Sequence, residues 1–461
     1  MTVSAPHRDR VDATALRTAF AARLSALYSR EVPAYTTLVD VAREVNADVL
    51  ATRGEDAERL GSIERVTAER HGAIRVGTPA ELAAVATVFG AMGMHPVGFY
   101  DLRETAAAVP VVSTAFRPVA RDELARNPFR VFTSLLVVDD RRFFTPDLTT
   151  RLREFLSRRT LFAPHLVDLA RRAERDGGLD ADDAEVFLVA ATAAFALSPD
   201  AVDRAWYGEL SQVSSVAADI GGVGSTHINH LTPRVLDIDD LYARMQARGI
   251  EMIDEIQGPP RWGGPDLLLR QTSFRALAEP RRFREADGSV TDDTLRVRFG
   301  EVEARGVAAT PRGRALYDRL LTEPGDAAAT WRAAAPATER GMLDADLAYF
   351  TLAPGSERPD GPVPTTVAEL LDGGWAVAAP IVYEDFLPAS AAGIFASNLT
   401  GSSRRDDESD GAAVDLAWLE GAAGRTIHDP YALYDAERAA SFDAVTAHWG
   451  LPTTPVLPGD R

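Results

Sequence analysis

Three short stretches of this 461-residue chain carry side chains able to do metal chemistry. The first is Ser225-Thr-His-Ile-Asn-His-Leu-Thr-Pro-Arg234, which holds two of only eight histidines, His227 and His230, behind the glycines Gly221, Gly222 and Gly224. Imidazole is the commonest protein ligand for a catalytic transition metal, so this clustering in a histidine-poor chain points to a metal centre. The second is His71-Gly-Ala-Ile-Arg75, where strand periodicity puts His71, Ala73 and Arg75 on one face and Gly72 and Ile74 on the other. Metal on the histidine, a substrate carboxylate on the arginine and a small alanine between them is the functional reading, since a guanidinium grips carboxylates bidentately. The third is Leu295–Arg305, where reading by twos gives Leu295, Val297, Phe299, Glu301 and Glu303. An apolar face that turns into carboxylates predicts a strand entering a polar cavity, and Glu301, the deeper of the two, must pair or bind a cation to be tolerated there. Glu303 is placed to pair with Arg305 or Arg298.

Two histidines and one carboxylate on separate strands form the inventory of a facial triad for non-haem Fe(II), with positions left open for substrate and dioxygen. If the His227–His230 segment is extended, the two rings face opposite sides, so one binds metal and the other orients the loop. Asp237, Asp239 and Asp240 offer carboxylates as well, but Asp239 and Asp240 are expected to cap the helix that follows. His95, His165, His428 and His448 are scattered and read as structural or surface residues.

Composition removes competing chemistries. The chain has no cysteine, which excludes thiolate nucleophiles, iron–sulfur clusters and Cys-type zinc sites, and no lysine, which excludes Schiff-base and P-loop chemistry. With 68 acidic and 49 basic residues the net charge of −19 disfavours nucleic acid and anionic membranes as partners. No apolar run reaches the roughly 20 residues that span a bilayer, and no N-terminal apolar segment reads as a signal peptide. The expectation is a soluble cytoplasmic protein.

The elements that must position these residues follow from periodicity. Residues 1–12 read as a disordered leader and 13–461 as one large domain. Leu16, Phe20, Leu24 and Leu27 predict a helix that Pro33 interrupts. A strand around 71–77, a helix from Pro79 to about Met92 with Thr78 as its cap, and a strand near Val97–Tyr100 come next. About 147–216 is a helical insertion, followed by a helix at Ile238–Arg248, strands at Leu267–Leu269 and Leu295–Val302, and a helix from Pro311. Ser402–Gly411 reads as a loop. The fold class expected is α+β.

Seven blocks then carry a resemblance: ERHGAIRVGT at Glu69–Thr78, HPVGFYDL at His95–Leu102, NPFRVFTSLL at Asn127–Leu136, HINHLTPRVLDID at His227–Asp239, LLRQTSF at Leu268–Phe274, RFGEVEARGVA at Arg298–Ala308 and YEDFLPASAAGIFASNL at Tyr383–Leu399. Together they resemble the 2-oxoadipate dioxygenase/decarboxylase family, over nearly the whole chain. The resemblance implies a vicinal-oxygen-chelate-like mixed β-sheet core around a metal site, with N-terminal and mid-chain helical additions. It implies an Fe(II)-dependent enzyme that turns 2-oxoadipate and O₂ into (R)-2-hydroxyglutarate and CO₂, a step in lysine catabolism. Carried over by position, it implies His71, His227 and Glu301 as metal ligands, Arg75 on the substrate, and the backbone around Ala389 and Ser390 closing the pocket, with alanine where the family has valine. A metal-dependent lyase or isomerase acting without O₂, and a non-catalytic diacid-binding protein, are the alternative readings.

Overall fold

The computed structural model describes residues 10–105, 108–296, 298–387, 405–406 and 409–457. Ala389 and Ser390, most of the 1–12 leader, Val297 and half of the Ser402–Gly411 loop lie outside the described residues. The first half of the chain gives strands β1 (Arg70–Val76), β2 (His95–Asp101), β3 (Val111–Arg117), β4 (Arg130–Leu136), the two-residue β5 (Val202–Asp203) and β6 (His230–Pro233). The second half gives β7 (Leu269–Phe274), β8 (Glu279–Arg284), β9 (Val290–Leu295), β10 (Gly300–Arg305), β11 (Phe350–Pro354) and β12 (Ala376–Pro380). The architecture is α+β with mixed sheets: β1 runs parallel to β4 and antiparallel to β6 within the order β2-β3-β4-β1-β6.

Strand alternation sorts β1 between two cores. Ile74 and Val76 pack with Leu16, Phe20, Phe89 and Val131 beneath the N-terminal helices. Ala73 packs on the opposite side with Tyr100, Phe132, Phe299 and Phe386. His71 and Arg75 share the Ala73 side, as the period of two requires. Gly72 is needed on the other side, where a Cβ would meet Ile228 Cδ1 at 2.6 Å.

The five-stranded sheet continues toward a second one. Arg234, just past β6, forms a single bridge with Glu303 of β10, and the Val235 amide donates to the Glu303 carbonyl at 2.8 Å. Strand β10 pairs antiparallel with β7, setting Glu301 opposite Ser273 and Glu303 opposite Gln271. Strands β1, β6 and β10 therefore lie side by side although they are far apart in sequence.

The helices behave largely as their sequences dictate. Ala13–Glu31 is capped by Asp12 and buries Leu16, Phe20, Leu24 and Tyr28 at helical spacing, and Pro33 opens the next helix, Pro33–Arg53. Thr78 and Glu81 form a capping box at Pro79–Gly90. The stretch 147–216 is helical apart from β5 and its connections. No helix among the described residues is long and apolar enough to cross a membrane.

Two local expectations change. The cap of helix Ile238–Ala247 is Asp237, whose carboxylate accepts from the Asp239 and Asp240 amides, while Asp239 turns to Arg270. The Leu295–Val302 run is two strands: β9 ends at Leu295 and β10 begins at Gly300. Between them Arg298 is buried against Glu279 and Glu31, an ion pairing that a continuous strand alternation does not anticipate.

Tyr28 ties the helical layer to the two later strands. Its buried hydroxyl lies 3.0 Å from the Asn229 carbonyl and 2.8 Å from the Phe299 carbonyl, immediately before β6 and β10. Removing it leaves those buried acceptors without their donor, so Tyr28→Phe should lower the unfolding free energy by about 1–3 kcal/mol. Denaturant unfolding monitored by circular dichroism would measure this.

Candidate metal centre

His71 on β1, His230 at the first residue of β6 and Glu301 on β10 converge. All three are buried, and one ligand atom from each lies within 4.8 Å of the others. His71 Nε2 is 3.5 Å from Glu301 Oε1, and His230 Nε2 is 3.5 Å from Glu301 Oε2. A cation bound at about 2.0–2.2 Å to each donor needs separations of this order.

His227 is not brought to this cluster. Its Nε2 lies 3.3 Å from Asp219 Oδ1 and 3.3 Å from Asn229 Nδ2. Of the expected trio of His71, His227 and Glu301, the structure brings His71 and Glu301 together, and the histidine beside them is His230. The physical reason is register: His230 pairs with Ala73 on β1, which seats its ring beside His71 (centroids 5.4 Å apart), while His227 precedes the strand. The residues themselves offered two histidines of opposite facing, and the start of β6 selects between them.

The electrostatics suit a cation. Neither ring nitrogen of His230 has a hydrogen-bond partner. Burial holds the His230 pKa well below the usual imidazole range, with His71 and Arg75 adding to the effect. It is therefore the neutral imidazole that a metal requires. Burial raises the Glu301 carboxyl, and His71 offsets this only in part, so Glu301 is a carboxylate short of positive charge. Two imidazoles and one carboxylate with no sulfur are the donor set of a catalytic transition-metal site with open positions and not of a Cys-type structural zinc site. Phe386 packs edge-on to His71 at 5.0 Å, and Phe299 lies 5.2 Å from His230, which gives the centre apolar walls.

Glu303, two residues beyond Glu301, faces the other side of the His71 ring, with Oε1 3.1 Å from Nδ1. Arg305 binds the same carboxylate at 2.6 and 3.0 Å, so the expected choice between Arg305 and Arg298 falls to Arg305. Around it Glu69 meets Arg130 at 2.8 Å and Arg234 at 3.0 Å, and Glu384 is bound by both Arg130 and Arg65. Such a carboxylate behind a ligand histidine fixes its tautomer and its ring plane. Burial opposes the charge on Glu303, but Arg305, His71 and Arg130 overcome it and bring its pKa to about 2.

Arg75, four residues after His71 on the same face of β1, is buried against Asp219 of helix Ser215–Gly221. Asp219 also accepts from Asn229 Nδ2 at 2.9 Å. The sequence reading missed Asp219, although a lone carboxylate inside the apolar run Val216–Ile220 was an available signal.

A family model described as 2-oxoadipate dioxygenase/decarboxylase matches residues 20–398. A Mycobacterium bovis protein named 2-oxoadipate dioxygenase/decarboxylase is 61% identical over 427 residues, covering 93% of this chain and 97% of that protein. A protein of the same name from Escherichia coli is 41% identical over 447 residues, covering 92% and 96%. The crystal structure of hydroxyglutarate synthase in complex with 2-oxoadipate from Pseudomonas putida superposes with a TM-score of 0.81 at 40% identity, covering 96% of this chain and 100% of that one.

The buried carboxylates make stability depend on acid. Opposing burial, Arg65 and Arg130 bring Glu384 to about 2, like Glu303, whereas an unfolded glutamate titrates near 4.3. Between those values the unfolded chain binds more protons, so the stability these groups contribute is complete above about pH 4.3 and falls as pH drops toward 2. Urea midpoints measured from pH 7 down to 3 should decline mainly below pH 4.3, and Glu384→Gln should flatten that decline.

Proposed function

The chain belongs to the 2-oxoadipate dioxygenase/decarboxylase family, and on that premise we propose that it is an Fe(II) enzyme converting 2-oxoadipate and O₂ to (R)-2-hydroxyglutarate and CO₂ in lysine catabolism. The observation that carries this reading is the buried convergence of His71, His230 and Glu301 with Arg75 on the strand that supplies His71. The atoms balance without an external co-substrate: both oxygens of O₂ are accounted for in the hydroxy diacid and CO₂. We take residues 13–461 as one catalytic domain that works in the cytoplasm.

His71, His230 and Glu301 would hold the iron on one side and leave the opposite side to ligands. Iron bound there supplies a Lewis-acid centre for the 2-oxo acid head and the electrons that activate dioxygen. The rest falls to the chain's own residues. Glu303 holds the His71 ring in plane and keeps its Nδ1 occupied, leaving Nε2 for the metal. Arg75 takes the distal carboxylate and fixes the carbon chain. This matters because the shortened chain must be hydroxylated before it moves, and a misplacement of about 1 Å can cost on the order of 10²-fold in rate. Phe299 and Phe386 restrict water around the reacting carbons. Arg75 also favours a diacid over a monoacid, which offers its guanidinium no second carboxylate.

His71→Ala, His230→Ala and Glu301→Ala should each lose iron and turnover, while Arg75→Ala keeps iron and needs far more substrate. Metal analysis and O₂ uptake with 2-oxoadipate measure both. Turnover of 2-oxoadipate that persists without O₂ would sink the oxygenase reading. Glu303→Gln should weaken iron binding by about 10–100-fold without abolishing it, as a metal titration would show.

A further inference from the structure

Arg70 opens β1 but takes no part in the metal centre. The period of two sends its side chain to the face of Gly72 and Ile74, away from His71, Ala73 and Arg75. Its residue is only 7% exposed. Among the described residues ten arginines are buried, and nine of them meet a carboxylate within ion-pairing distance; Arg70 meets none. Its neighbour Glu69 belongs to the other face of the strand, where Arg130 and Arg234 hold it.

The bonds that Arg70 does make leave its charge unmatched. Nε donates to the Tyr35 hydroxyl at 3.2 Å, and Nη1 donates to the Thr67 and Glu69 carbonyls at 2.8 and 2.7 Å. All three acceptors are neutral, and Nη2 donates to no protein group. Arginine keeps its charge, and a cation drawn out of water is costly unless an anion answers it.

Arg70 also lines a cavity of about 780 Å³ shared by helices Ala13–Glu31, Pro33–Arg53 and Ile63–Ala68. That volume is within the usual range for small-molecule sites. The walls carry the hydroxyls of Ser25, Ser29, Thr36 and Thr67. Three further charges border it: Asp40 and Arg43 are exposed and lie 3.8 Å apart, and Glu64 is exposed where solvent screens it. The buried floor is therefore cationic and the walls are neutral and polar. We propose that this cavity binds a small oxyanion, a carboxylate or phosphate group seated on Arg70 with a hydrogen-bonding body against the serine and threonine side chains. The site lies across β1 from the metal centre and is independent of the activity proposed for that centre.

Calorimetric titration of the whole protein with inorganic phosphate and, separately, with succinate at fixed ionic strength tests this. At least one anion should bind saturably with Kd below about 10 mM, and Arg70→Gln should weaken that binding at least about tenfold. The tighter of the two tells phosphate from carboxylate as the preferred group. Saturation by neither anion, or binding that Arg70→Gln leaves unchanged, overturns the proposal. Binding lost only in His230→Ala belongs to the metal centre and overturns it too. Should Arg70→Gln fail to accumulate, position 25 decides, because Ser25 Oγ lies 3.1 Å from the same Tyr35 hydroxyl that accepts from Arg70. Ser25→Asp places a carboxylate beside the guanidinium and should displace the anion, whereas the neutral Ser25→Asn should keep it. Equal binding by these two variants overturns the proposal.

Discussion

The structure depends on keeping charge inside the protein. Glu303 is the pivot: one carboxylate bonded by Arg305, set against the His71 ring and within reach of Arg130. Each partner comes from a different strand or is itself held by another acid, so the pairing fixes β1, β4, β6 and β10 relative to one another. Ion pairs of this kind gain little over apolar packing when complete, but they are costly to break, because a lone buried charge is intolerable. What they provide here is definition. A hydrophobic junction between β6 and β10 tolerates sliding, whereas one built on Glu69, Arg130, Arg234 and Arg305 has a single satisfied register.

That definition is what the proposed metal centre needs. Three ligands from three strands give a competent geometry only if the strands hold their places to a fraction of an ångström. Tyr28 and Glu303 act on the same requirement from opposite sides. The tyrosine fixes the backbone just before His230 and Glu301, and the glutamate fixes the ring of His71. Phe299 and Phe386 then close the space around the rings with groups that offer no competing ligand.

Much of this was legible in the sequence, and the limits are physical. His71 with Arg75, and the depth of Glu301, followed from the two-residue repeat of a strand, which is a local property. The pairing of Glu303 with Arg305 was available for the same reason. His230 was not separable from His227, because what separates them is where β6 begins, and that is set by pairing with β1 some 150 residues earlier in the chain. Asp219 was hidden differently: it lies on a helix, and its importance comes only from what the fold places opposite it. The break between β9 and β10 escaped because the ion pairs of Arg298 outweigh a pattern that reads as one strand. The helices, whose signals are short-range caps and apolar spacing, came through nearly intact.

The distance along the chain between His71 and Glu301 has a consequence for how the protein is made. At ordinary translation speeds, about 5–20 residues per second, roughly ten to fifty seconds separate the appearance of the first ligand from that of the last. In the last part of that interval, after His230 has been made, both histidines exist on the ribosome without Glu301. Two imidazoles without Glu301 favour metals that prefer nitrogen, such as copper or zinc, over iron. Only the finished sheet junction adds the oxygen donor that shifts the preference. On the proposed reading, metal choice waits until Glu301 has been made and β10 has paired, and the cell's supply of free metal at that moment becomes part of the protein's maturation.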